Sequence, residues 1–172
     1  MKAFVKVKKN ILNADYHSLS QKIWGIKTDN FFANRLGPDD ELNNLTDFGF
    51  SLLYSDFNPK WDTVKIRWNA SGIYLHETHT SGVIAVFSEF DFELPITQKA
   101  FFNLIAYLAD NLDGTISEDN QQSWIDLVTF LKKHHEIMTA DFNQLLADSI
   151  QIGSKINPVD EPSFYDLSYD IY

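Results

Sequence analysis

The chain has 172 residues, of which 44% are apolar and 15% aromatic, and its 24 acidic and 14 basic side chains give a net charge of −10. The apolar fraction is too high for a disordered chain, and the length predicts one domain with a sizeable core. The absence of cysteine excludes disulfides, thiolate metal sites and a cysteine nucleophile. The negative charge argues against nucleic-acid binding, since that binding depends on cations that contact phosphates.

The first 46 residues have the weakest secondary-structure pattern. Alternating apolar residues at positions 3–7 predict an edge strand lined by lysines. A helix is expected over residues 18–36, with a break near Gly25. No apolar run follows the basic N-terminus and no 18-residue apolar stretch occurs, so we expect neither a secretory signal nor a transmembrane helix and place the protein in the cytoplasm.

The middle of the chain alternates apolar and polar side chains with the period of two that is typical of strands. Turn residues such as Gly72 and Gly82 separate the segments, which indicates an antiparallel meander. In the last segment both faces are apolar at the start, and this predicts burial on both faces there. The predicted strands cover residues 48–54, 64–68, 73–79 and 83–94.

After these strands the apolar residues recur with the period of a helix. Three helices are expected, with Thr97, Ser123 and Thr139 as N-caps and Gly153 at the end of the last one. Residues 115–117 form a short strand or connector between the first two. The apolar residues expected on the buried stripes are Phe101, Leu104, Ile105, Leu108 and Leu112 in the first helix, Trp124, Leu127, Val128 and Leu131 in the second, and Phe142, Leu145, Leu146 and Ile150 in the third.

These elements predict a single α+β domain over residues 1–156, with about five strands in a mostly antiparallel meander sheet and the helices clustered after it on one face. Residues 157–172 form an acidic C-terminal tail that contains three tyrosines and two prolines but has no amphipathic period. This tail either packs back on the domain or contacts a partner.

Two histidine clusters are candidates for chemistry. His76 and His79 flank Glu77, but they are three residues apart and point to opposite faces of a strand, so no metal site is expected. One hypothesis is a hydrolase-like enzyme that uses these three residues, with Glu77 as general base. His134 and His135 are interpreted as favourable charges in the last turn of a helix. No cofactor is expected.

Acidic side chains give a second functional signal. Residues 1–70 carry 10 basic and 8 acidic side chains, whereas residues 71–172 carry 4 basic and 16 acidic ones, a net charge of −12. Such an asymmetry indicates either a surface that faces a partner or a surface that keeps the protein soluble. In the last predicted strand, Glu89, Asp91 and Glu93 lie on one face and an apolar row lies on the other.

We therefore expect a small acidic protein-binding module of the inhibitor, immunity-protein or antitoxin type, with a basic protein as its partner. The alternatives are the enzyme described above and a protein that binds an apolar ligand between sheet and helices. No glycine-rich phosphate motif or nucleophile motif occurs, and no membrane contact is expected. The residues expected to bind the partner are Glu89, Asp91, Glu93, Tyr165, Asp166 and Tyr169.

Overall fold

The computed structural model describes residues 1–9, 12, 14, 16–25, 48–50, 72–88 and 94–155. Its strands are β1 (Lys2–Lys6), β2 (Phe48–Phe50), β3 (Ile73–Glu77), β4 (Val83–Ser88) and β5 (Thr115–Ser117), and its helices are α1 (Tyr16–Trp24), α2 (Pro95–Asn111), α3 (Leu127–Thr139) and α4 (Phe142–Gly153). The strands form one sheet in the order β2-β3-β4-β1-β5, with antiparallel neighbours. The predicted α+β fold is confirmed, whereas the predicted strand over residues 64–68 lies outside the described residues.

Strand β1 lies inside the sheet, so its predicted position at an edge is wrong. Val5 is the register partner of Ile84 in β4 on one side and of Ile116 in β5 on the other. The physical reason is that β1 is apolar on both faces. Val5 faces the helices, while Phe4 is buried on the opposite face between two exposed lysines. A strand buried on both faces is placed in the sheet interior rather than at its edge.

The turn between β3 and β4 requires a glycine. The Thr78 amide donates to the Val83 carbonyl over 2.9 Å, and Gly82 adopts a φ of +74°. A Cβ atom at Gly82 would lie 3.2 Å from the carbonyl oxygen of Val7, the residue directly after β1. The positive φ and this close approach together favour glycine. In β4, residues 83–86 are all buried, which confirms the predicted burial on both faces.

Helix α2 is the centre of the apolar core. It contacts β1, β3, β4 and β5 as well as the three other helices, so the helices lie on one face of the sheet as predicted. Its stripe is confirmed: the five predicted residues are at most 2% exposed. Its N-cap is Leu94 rather than Thr97, and Pro95 occupies the first turn. The Ser149 hydroxyl of α4 accepts the amide hydrogen of Ile96 over 3.1 Å and so satisfies one of the free donors of that turn.

The N-caps of the last two helices are carboxylates. Asp126 accepts the amide hydrogen of Thr129 over 2.7 Å, and Asp141 caps α4 in the same way. The predicted caps Ser123 and Thr139 are therefore wrong. A carboxylate at the N-cap also interacts favourably with the helix dipole, an advantage that a hydroxyl lacks.

The predicted buried stripe of α3 is wrong in part. Val128 is 75% exposed and Leu131 is 40% exposed, whereas Phe130 is fully buried. The helix begins at Leu127, about one turn later than predicted, and its contact with α2 is centred on Phe130. Trp124 precedes the helix and packs instead on the opposite face of the sheet, against the cluster that contains Phe4.

A buried lysine joins α2 to the end of α3. The Lys99 ammonium donates to the carbonyl oxygens of Met138 over 2.7 Å and Ala140 over 2.8 Å. These carbonyls lie at the C-terminus of α3, where backbone acceptors have no partner within the helix. Gly25, which ends α1 with a φ of +72°, lies so close that a Cβ atom there would be 3.1 Å from Lys99 Cε. Burial lowers the pKa of Lys99, and the nearby Asp141 carboxylate partly offsets that effect.

Replacing Lys99 by methionine should lower the free energy of unfolding by about 1–3 kcal/mol, because two partly buried carbonyl groups lose their donor while the apolar volume is largely kept. The measurement is urea denaturation of both proteins at pH 7. The matched control is Lys155→Met on the exposed surface, for which a change below about 0.5 kcal/mol is expected. Equal stability of wild type and Lys99→Met would contradict this role.

The same pair of proteins gives a pH test. The pKa of Lys99 is lower in the folded protein than the ordinary value of 10.5 that applies to the unfolded chain. Between these two pKa values the unfolded chain binds more protons, so the wild type gains stability as the pH rises through that interval. The difference between wild type and Lys99→Met should therefore widen between pH 7 and pH 10. A difference that narrows over this interval would contradict the direction of the shift.

Candidate functional site

The residues of the predicted enzyme site do not converge in the structure. His76 and Glu77 are consecutive in β3, so they lie on opposite faces of the sheet, and their register partners are Ala85 and Ile84. His79 is exposed in the turn that follows. In the described part of the chain, no group of three or more His, Asp or Glu side chains is placed to hold a metal ion.

The residues predicted to bind a partner are not placed by the structure. They lie outside the described residues, and their role stays a prediction. These residues are Glu89, Asp91, Glu93, Tyr165, Asp166 and Tyr169.

Several hydrogen bonds hold the polar connection between β5 and α3. We name residues 118–123 the acidic turn. Its two ends are held together by Ile116 and Ile125, whose amides donate to each other's carbonyl oxygens over 2.9 and 2.8 Å. Trp124, directly after the turn, is fixed by packing against the outer face of the sheet. The turn therefore starts and ends on well-anchored residues.

Asp119 organises the acidic turn from within. One of its carboxylate oxygens accepts from the Ser117 hydroxyl over 2.7 Å and from the Ser123 amide over 2.9 Å. The Ser123 hydroxyl donates to the other oxygen. Donors that bind the ionised form stabilise it, and these hydrogen bonds lower the pKa of Asp119 to about 2. Asp119 is thus an exposed and permanently ionised carboxylate near neutral pH.

The backbone of the turn adopts a conformation that its residues do not favour. Asn120 and Gln121 have φ angles of 54° and 68°, in the left-handed region. For residues other than glycine this region costs about 1–2 kcal/mol each, less for asparagine. The Gln121 amide donates to the Ser117 hydroxyl oxygen over 2.9 Å, which helps to hold this conformation. All residues from Asp119 to Ser123 are exposed.

Glu118 attaches the turn to the helices. Its two oxygens lie 2.7 Å from Lys133 Nζ and 2.7 Å from His134 Nε2. The His134 ring stacks on Phe102 of α2 with centroids 3.8 Å apart and lies 4.7 Å from the Phe130 ring. The side chain of His134 is only 13% exposed, so this contact is shielded from water on most sides. His134 thereby links the turn to α2.

The predicted position of the second histidine pair in the last turn of its helix is wrong. His134 is not in the last turn of its helix, because α3 continues to Thr139. Its partner Glu118 precedes it by 16 residues, a separation that no helical or strand period reveals. The only sequence signal for this contact was the acidic residue Glu118 directly after a predicted strand.

The chain segment that contains the turn has more carboxylates than lysines. Residues 94–155 contain eight carboxylates and four lysines. Lys99 is buried against backbone carbonyls, and Lys133 is paired with Glu118. Lys132 and Lys155 are the remaining lysines of this segment, and both are exposed. This segment therefore has a net negative charge, whereas the neighbouring β1 brings the ammonium of Lys6 to 5.9 Å from the ring centroid of Trp124, directly after the turn.

Comparison with protein-family models, with curated proteins and with solved structures found no match for this chain. Among the described helices, none is both long and apolar enough to cross a lipid bilayer.

The carboxyl group of Asp119 should titrate with a midpoint near pH 2 in a ¹³C NMR experiment on the folded protein. Because its folded-state pKa is lower than the ordinary value of 3.8, its stabilising contribution is complete above about pH 4 and is lost as the pH falls through 2. The stability difference between wild type and Asp119→Asn should shrink accordingly on acidification. A midpoint near 4 would contradict the hydrogen-bonded arrangement.

Proposed function

We propose that this chain is an acidic protein-binding module, comparable to inhibitors, immunity proteins and antitoxins, and that it binds a basic protein. The observation that carries the proposal is the acidic turn, in which an exposed, ionised Asp119 is held on a fixed backbone. Protein partners are recognised by such preformed charged surfaces without a catalytic group.

Two physical effects support this proposal. The net charge of −10 attracts a cationic partner over about one Debye length and raises the rate of encounter. A turn that is already held by hydrogen bonds loses little conformational entropy on binding, so more of the contact energy appears as affinity. Glu118 contributes to the second effect rather than the first, since its charge is offset by Lys133.

The sequence extends the proposed contact surface beyond the turn. Carboxylates attract a cationic partner electrostatically, and tyrosines are enriched in the centres of protein interfaces. We place the interaction in the cytoplasm, where a protein without cysteine needs no oxidising conditions. The additional contact residues are Glu89, Asp91, Glu93, Tyr165, Asp166 and Tyr169.

Gln122→Lys should weaken the interaction about 3- to 10-fold at low salt, because it adds a positive charge beside Asp119 and leaves the hydrogen bonds of the turn in place. The tagged chain is used to capture its partner from a lysate of the source organism at about 50 mM and about 500 mM salt. The identified partner is then titrated against wild type and variant.

The matched control is Gln151→Lys, which adds the same charge on the exposed surface of α4. We expect a basic partner that is captured at low salt, is reduced at high salt, and discriminates between the two variants. The proposal is overturned if no specific partner is captured at low salt, or if Gln122→Lys and Gln151→Lys bind alike.

A further inference from the structure

The acidic turn and Trp124 lie on the same face of the sheet, opposite to the helices. Ser117 is the register partner of Phe4, whose side chain belongs to the cluster on this outer face. Paired residues of neighbouring strands point to the same face, so the Ser117 hydroxyl and the Asp119 carboxylate that it contacts lie on that side. Trp124 packs against the same cluster and directly follows Ser123, whose amide donates to Asp119. A carboxylate and an indole ring are therefore held next to each other at the end of β5.

The indole ring of Trp124 already has a cation beside it. The Lys6 ammonium lies 5.9 Å from the centroid of this ring. That distance is near the upper limit of about 6 Å for a cation–π contact, and the Lys6 side chain is exposed. Trp124 itself is only partly buried. The ring therefore accepts a cation at this position but holds the lysine weakly.

Asp119 can accept one further hydrogen bond. A carboxylate offers about four acceptor positions on its two oxygens. Oδ1 accepts from the Ser117 hydroxyl and the Ser123 amide, whereas Oδ2 accepts, among the described residues, from the Ser123 hydroxyl alone. One position of Oδ2 is therefore left for a donor from a partner, and Asp119 is exposed to it.

We infer that Trp124 and Asp119 together bind an arginine side chain of the basic partner, an inference that rests on the function proposed above. A guanidinium group is planar, so it stacks on an indole ring and donates to a carboxylate from its edge. A lysine ammonium is a point charge and has no flat surface to stack. Arginine is also enriched in protein interfaces. The bound arginine takes the place of Lys6 on the indole ring.

Two peptides of equal length and charge, one of arginines and one of lysines, test this inference without the natural partner. Binding is followed through the amide resonances of residues 118–124 in ¹⁵N NMR spectra at about 50 mM salt. The wild type should bind the arginine peptide about 3- to 10-fold more tightly than the lysine peptide. Trp124→Leu keeps an apolar side chain against Phe4 but removes the aromatic ring, so the preference for arginine should disappear.

A matched pair of lysine variants tests the position of the site. Lys6→Gln frees the indole ring, whereas Lys2→Gln removes the same charge from the same face of β1, where Lys2 lies 5.2 Å from the Phe4 ring centroid. Both variants should bind the arginine peptide more tightly, because both make the chain more negative. Lys6→Gln should exceed Lys2→Gln by about 3-fold, because it also removes the competing cation.

Equal affinity of the wild type for the two peptides overturns the inference, as does an equal effect of Lys6→Gln and Lys2→Gln. A Trp124→Leu variant that is folded by circular dichroism and still prefers arginine overturns it too; if this variant does not fold, the two lysine variants decide. These outcomes leave the proposed function standing, because that proposal fails when no basic partner is captured or when Gln122→Lys and Gln151→Lys bind alike.

Discussion

The position of α3 depends on one buried ammonium group. Lys99 is a residue of the central helix, and its Nζ satisfies the carbonyl oxygens of Met138 and Ala140 where α3 ends. The approach of Gly25 to the same side chain brings the end of α1 to this point. A buried lysine is unfavourable unless its hydrogens are bonded, and here the carbonyls that need donors provide those bonds. Four helices meet around this group, since Asp141, the cap of α4, lies beside it.

The acidic turn follows from that placement. Once α3 is fixed against α2, Lys133 and His134 present donors to Glu118, and the ring of His134 is held by Phe102. The turn then needs only local hydrogen bonds to Asp119 to hold its left-handed backbone. The same packing leaves the opposite face of α3 in solvent.

The regular elements could be predicted because their patterns are local. The stripe of α2 repeats over five apolar residues, and β4 is apolar on both faces at its start. The caps of α3 and α4 were misplaced because several Ser, Thr and Asp residues near each helix start fit the N-cap preference, and sequence alone does not rank them. The interior position of β1 could not be predicted, because the burial of Phe4 depends on its contacts with residues of another strand.

The sequence predicted the negative charge of the candidate site but not the contacts that hold it. An acidic surface follows from the charge distribution, but the contact of Glu118 with His134 joins residues 16 positions apart in two different elements. The role of Lys99 was likewise hidden, because a lysine in a helix normally indicates the solvent-facing side. His76, Glu77 and His79 are close in sequence, yet the alternation of a strand separates His76 from Glu77.

Binding through Asp119 requires an acidic turn that is rigid before any partner binds. ¹⁵N relaxation of the amides of residues 118–123 tests it most directly. Order parameters of about 0.85, equal to those of the flanking β5 and α3, are expected. Values below about 0.6 in the turn alone would contradict the claim, since a mobile turn would not hold Asp119 in its hydrogen-bonded position.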